Sequence, residues 1–242
     1  MEYSAWGILI IDSLLGLSLL FLKQLGKSMY PVALAVIISL IEEIVAHLFT
    51  LKFNYNLNVY FFFNPIEYAC FAWFFYVNID YKTCKKLIKA SVLLFFSFII
   101  GYLYYFTKLT PLPAKILLDY VIATKGLLLT LWSIAYIINI FDQISNYKKL
   151  SVYVLMVVAA LLFYSCFSII LNFSEIYLVN YSELHNVPLT VMFSPLNKAH
   201  MYASQQYAAV KPLLYLTNIL LYLCIFVALI KSATKPKKAY SI

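Results

Sequence analysis

The chain consists of long apolar runs separated by short polar segments that hold most of its lysines. The runs lack the strict alternation of apolar and polar residues that barrel strands show. Each run is long enough to cross a bilayer as a helix, which needs about 20 apolar residues to span roughly 30 Å of hydrocarbon. Because backbone N–H and C=O groups in lipid must be paired within the structure, the pattern predicts membrane-spanning α-helices.

Seven apolar runs predict an all-α, polytopic helical bundle that forms one transmembrane domain. The connections between the runs are short, except for residues 174–211, which are predicted to form a long extracytoplasmic loop. Residues 231–242 are predicted to form a basic cytoplasmic tail. The predicted spans are 5–22, 30–51, 58–79, 87–106, 116–141, 150–173 and 212–230.

The distribution of lysines predicts how these spans are oriented. If the amino terminus lies outside, twelve lysines fall on the cytoplasmic face, five fall on the outer face, and Lys125 lies within a span. Cytoplasmic loops of membrane proteins carry an excess of basic residues. The sequence therefore predicts an outer amino terminus and a cytoplasmic carboxyl terminus.

The composition argues against a soluble protein and against a nucleic-acid partner. Hydrophobic residues make up 64% of the 242 positions and charged residues 12%, whereas soluble domains have about 45–50% apolar and about 25% charged residues. The net charge is +8, but all 18 basic residues are lysines, and arginine is the usual choice for bidentate phosphate recognition. The lipid bilayer is the predicted partner.

Polar residues inside the predicted spans are the candidates for function. A charged side chain at a helix centre costs about 2.5–3.5 kcal/mol on insertion scales, and such residues usually mark functional sites. Those in this chain fall between the membrane midplane and the predicted outer surface. They predict a polar cavity, open to the outside, whose ligand-binding residues are Asp12, Glu43, His47, Asn64, Glu67, Asp119 and Lys125.

Helical spacing groups the polar residues of the second span. Ser39, Glu43 and His47 recur every four residues, so they are predicted to share one face. Glu42 is rotated by about 100° from Glu43, and the two carboxylates are not expected to face the same neighbour.

Lys125 is the only lysine predicted to lie near the middle of a span. Its expected partner is an acid on another helix, which could be Glu67, Glu43 or Asp12. Asn64 and Glu67 are three residues apart and are predicted to share one face of the third span. A structural ion pair and a binding or proton-linked site both remain open at this point.

A metal centre is the basis of one alternative. Glu43 and His47 have the spacing that places two ligands on one helix face, and His185 and His200 lie in the predicted outer loop. Seven-helix hydrolases of the ceramidase and adiponectin-receptor kind use a Ser-x-x-x-His pair on an early helix and a His-x-x-x-His pair on the last. Here Ser39 precedes His47 by eight residues, and the last span has no histidine. We therefore predict no metal site and assign no cofactor.

Three segments carry a further pattern: Asn64–Tyr68 with the aromatic run to Tyr76, Phe163–Ser165, and the final span from Asn218 to Leu229. They resemble a family of uncharacterised seven-helix membrane proteins of Bacteroidota. The resemblance brings no function with it. It implies a bacterial inner membrane, with the long loop in the periplasm.

The leading hypothesis is a multi-pass membrane protein that binds a small molecule or lipid in its outer cavity. It would act as a sensor or as an accessory subunit of a partner membrane protein. The alternatives are an intramembrane hydrolase and a proton-linked transporter. Because the sequence contains no complete catalytic motif, it does not decide whether the protein is an enzyme.

Overall fold

The computed structural model describes residues 2–21, 25–53, 56–109, 114–145, 151–184 and 201–234. Within these ranges all regular secondary structure is helical, which confirms the predicted all-α class. The seven helices described are α1 Glu2–Phe21, α2 Tyr30–Phe53, α3 Leu57–Asn78, α4 Lys82–Leu109, α5 Ala114–Ser145, α6 Val152–Leu184 and α7 Met201–Ala233.

Four helices in the described ranges are long and apolar enough to cross a membrane. They comprise Tyr30–Phe53, Leu117–Asp142, Val152–Ser174 and Tyr215–Ala233, and a shorter apolar stretch, Gly7–Phe21, lies in α1. The outer surface of the bundle carries many exposed large hydrophobic side chains, which suit hydrocarbon and not water. The chain is therefore a membrane-embedded helical protein.

Six helices form a closed ring. Going around it, α1 packs against α2, α2 against α3, α3 against α5, α5 against α6, α6 against α7, and α7 against α1. The remaining helix, α4, packs on α3 and more weakly on α5, so it lies outside the ring. Inward-facing side chains of the ring helices are thereby shielded from the lipid.

Hydrogen bonds join the segments that connect the helices at one end of the bundle, and several lysines lie at this end. The Gly26 N–H donates to Ser232 Oγ at 3.5 Å, which joins the α1–α2 connection to the end of α7. Asn78 Nδ2 donates to the Ser28 carbonyl at 3.4 Å, which adds the α3–α4 connection. We call this the lysine-rich end, and its lysines in the described residues are Lys27, Lys82, Lys85, Lys86, Lys89 and Lys231.

Two helices extend far into the predicted 174–211 loop. α6 continues to Leu184, eleven residues beyond the predicted end, and α7 begins at Met201, eleven residues before the predicted start. Two parts of the predicted 174–211 loop are therefore helical, and residues 185–200 lie outside the described ranges. The predicted ends follow the drop in hydropathy, which marks where a helix leaves the lipid. The helix itself continues as far as its backbone N–H and C=O groups form helical hydrogen bonds. Residues 174–184 contain neither proline nor glycine.

The α5–α6 contact sets the position of Lys125. At Gly126 a Cβ atom would lie 2.9 Å from Ile169 Cγ1 and 3.3 Å from the Ser165 carbonyl oxygen. The absence of a side chain lets the two helices approach closely, as small residues commonly do in membrane bundles. Thr130 Oγ1 and Ser165 Oγ share a hydrogen bond of 2.9 Å in the same contact.

Candidate functional site

Lys125 extends from α5 to α3 inside the bundle and is 5% exposed. Its Nζ donates to Glu67 Oε2 at 2.5 Å and to Asn64 Oδ1 at 2.6 Å. Asn64 and Glu67 therefore share one face of α3, as their spacing predicts. Of the three acids proposed as partners from the sequence, Glu67 is the one that pairs with Lys125.

The second carboxylate oxygen of Glu67 is held by α2. Ser39 Oγ lies 3.0 Å from Glu67 Oε1 and also 3.0 Å from the Ala35 carbonyl oxygen, so it donates to one or the other. Hydrogen bonds to a charged acceptor are stronger than neutral ones. Glu67 thus links α2, α3 and α5 through a single side chain.

Asn64 is oriented by a local feature of α3. Pro65 follows it inside this helix, and a proline has no backbone N–H to donate. Just before it, Asn64 Nδ2 donates to the Tyr60 carbonyl at 2.8 Å. Because this bond occupies the amide nitrogen, the amide oxygen faces Lys125 as an acceptor.

Further polar groups surround the ion pair. Glu42 on α2 is 6% exposed and interacts electrostatically with both Glu67 and Lys125. Tyr164 on α6 interacts with Lys125, and Tyr222 on α7 interacts with Glu67. Five of the six ring helices therefore contribute to one group. We call it the polar cluster, and it comprises Ser39, Glu42, Asn64, Glu67, Lys125, Tyr164 and Tyr222.

Ser39 is the one buried residue of the three that are predicted to share one face of α2. Glu43 is half-buried and interacts electrostatically with the two tyrosines of the polar cluster, so it lies at the edge of the cluster. His47, one turn further along, is exposed. The buried face of α2 instead includes Ser39, Glu42 and Ala46. Glu42, which is not in the predicted ligand-binding set, is thus more buried than Glu43.

Asp12 lies apart from the polar cluster but at a similar depth. The carboxyl group is 0% exposed, and within the described part of the chain neither of its oxygens has a hydrogen-bond partner. The adjacent Ser13 Oγ lies 3.1 Å from the Val36 carbonyl oxygen. This contact places Asp12 within about one helical turn of the depth of Ser39.

Asp119 is buried and precedes Lys125 by six residues on α5, a separation of about 9 Å along the helix axis. Of the residues predicted from the sequence, the structure brings Asn64, Glu67 and Lys125 into one hydrogen-bonded group, with Glu43 beside it. Asp12, His47 and Asp119 occupy other positions.

A second hydrogen-bonded group lies one residue further along α3 and was not anticipated from the sequence. The Tyr68 hydroxyl shares a 2.7 Å hydrogen bond with Ser91 Oγ of α4 and accepts one of 3.0 Å from Trp132 Nε1 of α5. The Tyr68 side chain is fully buried. This group holds α4 against the ring.

The carboxyl, amide, ammonium and hydroxyl groups of the polar cluster can bind protons, amines and other ligands that form hydrogen bonds. Among the residues that the structure describes, no group of three or more His, Cys, Asp or Glu side chains is arranged to hold a metal ion. His185 and His200, considered above as metal ligands, lie outside the described ranges.

Comparison with known family models, curated proteins and solved structures finds no significant match to this chain. The resemblance to seven-helix proteins of Bacteroidota therefore stays a prediction. The function has to be argued from the geometry of the polar cluster itself.

Proposed function

We propose that the polar cluster binds a small polar ligand within the membrane and that the protein acts as a sensor or accessory subunit. The observation that carries this proposal is the buried Lys125–Glu67 pair at the centre of a helical ring, with the buried carboxyl group of Glu42 beside it. Ionisable groups in this setting are costly, and most serve binding or transport.

The additional buried carboxyl group favours a ligand with a positive charge, because a nearby cation stabilises the ionised form of a carboxyl group. Glu42 lies beside the ion pair, and Glu67 is bonded to Lys125. An amine could bind to the Glu42 carboxyl group without displacing Lys125, and charged hydrogen bonds of this kind are strong. The proposed ligand class is a small amine or a lipid with a cationic headgroup.

The membrane topology is part of the proposal. All seven helices cross a bacterial inner membrane, the amino terminus lies outside, and the lysine-rich end is cytoplasmic. The grouping of six described lysines at one end of the bundle supports this orientation. Glu42 and Glu43 follow Ser39 on α2 in the direction away from that end, which favours ligand entry from the outside.

Thermal unfolding in detergent tests the ligand class. Choline, ethylammonium and acetate are added at matched concentrations to the wild type, to Glu42→Gln and to a control, Asp142→Asn, whose carboxyl group is exposed near the end of α5. We expect the two cations to raise the Tm of the wild type and of the control but not of Glu42→Gln. A cation effect of equal size in all three proteins would refute the proposed site.

Cysteine labelling tests the direction of entry. Glu43→Cys is introduced after the four native cysteines are replaced by serine. It is then treated with a membrane-impermeant thiol reagent on either side of sealed vesicles. We expect labelling from the outer side and protection by choline. Labelling from the cytoplasmic side alone would contradict an outward opening.

Asp12 favours a second candidate function, proton-linked transport. Its buried carboxyl group has no partner among the described residues and lies at a similar depth on another helix of the ring. Uptake of labelled choline into vesicles with a pH gradient tests this candidate. Transport requires that the gradient drives uptake and that Asp12→Asn abolishes the coupling while choline still raises the Tm.

A further inference from the structure

An apolar groove of about 450 Å³ lies on the outer surface of the bundle. It is formed between α3 and the peripheral helix α4. Trp73 is 44% exposed and Leu93 is 70% exposed, so both walls of the groove are open to the lipid. The apolar walls consist of Ala72, Trp73 and Tyr76 on α3 and Ile88, Val92 and Leu93 on α4.

Two lysines lie at one end of this groove. Lys89 contributes to its lining, and the Lys89 ammonium lies 4.9 Å from the ring centroid of Tyr76. The Lys85 ammonium lies 5.3 Å from the same ring. Cation–π attraction of this kind holds both ammonium groups near the aromatic ring. The groove therefore has a fixed positive end and an otherwise apolar wall.

The positive end lies at the level where lipid headgroups are expected. Lys85 and Lys89 belong to the lysine-rich end of the bundle, and Asp80 is the one acidic residue in the surrounding sequence from 78 to 93. Exposed tryptophan and tyrosine are typical of the headgroup region. Leu93 follows Lys89 by one helical turn, about 6 Å deeper along α4. The groove thus runs from the headgroup level into the hydrocarbon.

We propose that this groove is a binding site for an anionic glycerophospholipid, independent of the polar cluster. The phosphate lies between Lys85 and Lys89, and an acyl chain packs along Ile88, Val92 and Leu93. Charge complementarity selects this occupant, because basic residues near a membrane surface attract anionic headgroups. A free phosphate would leave the apolar walls uncovered. A two-fold related second copy would bring the same lysines close to each other.

Native mass spectrometry of the purified full chain tests the selectivity for the headgroup. Phosphatidylglycerol and phosphatidylcholine with identical acyl chains are added in equal amounts to three proteins. They are the wild type, Lys85→Gln/Lys89→Gln, and a control, Lys27→Gln/Lys231→Gln, which removes the same charge at the same end but away from the groove. We expect the wild type and the control to retain one phosphatidylglycerol and the groove variant to bind it about tenfold more weakly.

Fluorescence quenching locates the bound lipid. A small fraction of phosphatidylglycerol with brominated acyl chains is added to nanodiscs of phosphatidylcholine. We expect stronger quenching of Trp73 than the same fraction of brominated phosphatidylcholine produces, and we expect the difference to disappear in Lys85→Gln/Lys89→Gln. The Trp73→Phe variant identifies the part of the signal that comes from this residue.

Three results would overturn the site. The first is that the wild type retains phosphatidylglycerol and phosphatidylcholine equally. The second is that both double variants lose phosphatidylglycerol binding to the same extent. The third is that inorganic phosphate at millimolar concentration displaces the bound lipid. A dimer that buries Trp73 would instead identify the groove as a contact between two copies. All four lysines are exposed or partly exposed, so the variants are expected to fold, and their Tm values check this.

Discussion

Lys125 and Glu67 form a salt bridge between α5 and α3, with Nζ 2.5 Å from Oε2 and side-chain exposures of 6% and 15%. Each partner also has a second polar contact, because Lys125 donates to Asn64 and Ser39 Oγ lies 3.0 Å from Glu67 Oε1. The pair therefore connects three ring helices at one depth. Removing one charge leaves the other buried without its counterion.

The first prediction follows from this arrangement. Lys125→Met and Glu67→Gln are each expected to lower the free energy of unfolding by about 3–5 kcal/mol, because each leaves one group of the buried pair uncompensated. The double variant is expected to lose less than the sum of the two single losses, since it contains no uncompensated charge. Denaturant or thermal unfolding in detergent micelles measures these differences.

Lys231→Met is the matched control, because Lys231 is exposed at the end of α7. It is expected to change stability by less than about 0.5 kcal/mol. Additive effects of Lys125→Met and Glu67→Gln would show that the salt bridge is not the interaction that couples these residues.

The sequence predicts much of this arrangement because membrane insertion makes charged residues conspicuous. Apolar length predicts the number and order of the described helices, and the costly polar residues at their centres point to Asn64, Glu67 and Lys125. It does not identify Glu67 as the partner of Lys125, because the order in which helices surround the ring is not encoded in the hydropathy of single spans. The order of the helices around the ring follows from their contacts in the structure, such as that between α3 and α5.

Other features have no comparable signal in the sequence. The group formed by Tyr68, Ser91 and Trp132 consists of uncharged residues, and aromatic residues are abundant along the whole chain. The choice between Glu42 and Glu43 depends on the rotation of α2. Helical spacing alone allows both the stripe through His47 and the observed buried face through Ala46.

Gly126 leads to a prediction about helix packing. Gly126→Ala is expected to destabilise the protein by about 1–3 kcal/mol, because the new methyl group would overlap Ile169 and press against the Ser165 carbonyl. Ile169→Ala in the same chain is expected to restore part of the loss. Thermal unfolding of the single and double variants measures both effects.

Gly101→Ala provides the contrast, since nothing lies within 4 Å of a Cβ atom at this position on α4. There the substitution is expected to leave stability unchanged or to raise it by up to about 1 kcal/mol through helix propensity. Equal effects at Gly101 and Gly126 would mean that the α5–α6 contact does not depend on the missing side chain.

Tyr68 leads to a prediction about the peripheral helix. Tyr68→Phe removes the hydrogen bonds to Ser91 and Trp132, at an expected cost of about 1–3 kcal/mol, because the buried Trp132 N–H loses its acceptor. The local effect should be larger on α4, which packs outside the ring. Hydrogen exchange measured by mass spectrometry is expected to show faster exchange in α4 than in α6. Tyr81→Phe, at an exposed position, is the control, and a uniform change across all helices would contradict the proposed anchoring of α4.

A prediction about Asp12 distinguishes a structural role of this residue from a functional one. Its buried carboxyl group has no hydrogen-bond partner in the described part of the chain, and a buried polar group in that state costs stability. Asp12→Leu, whose side chain has the same branching and no polar atoms, is therefore expected to raise the free energy of unfolding by about 1–3 kcal/mol. Thermal unfolding in detergent measures the change, with Asp12→Asn as a control that keeps a polar group at the same place.

A residue that lowers stability is retained when activity requires it. For that reason Asp12→Leu is expected to combine a higher Tm with a loss of gradient-driven choline uptake, whereas Glu67→Gln is expected to lose stability. If Asp12→Leu instead unfolded the protein, Asp12 would have a structural partner, and the unsatisfied carboxyl group would no longer support proton-linked transport.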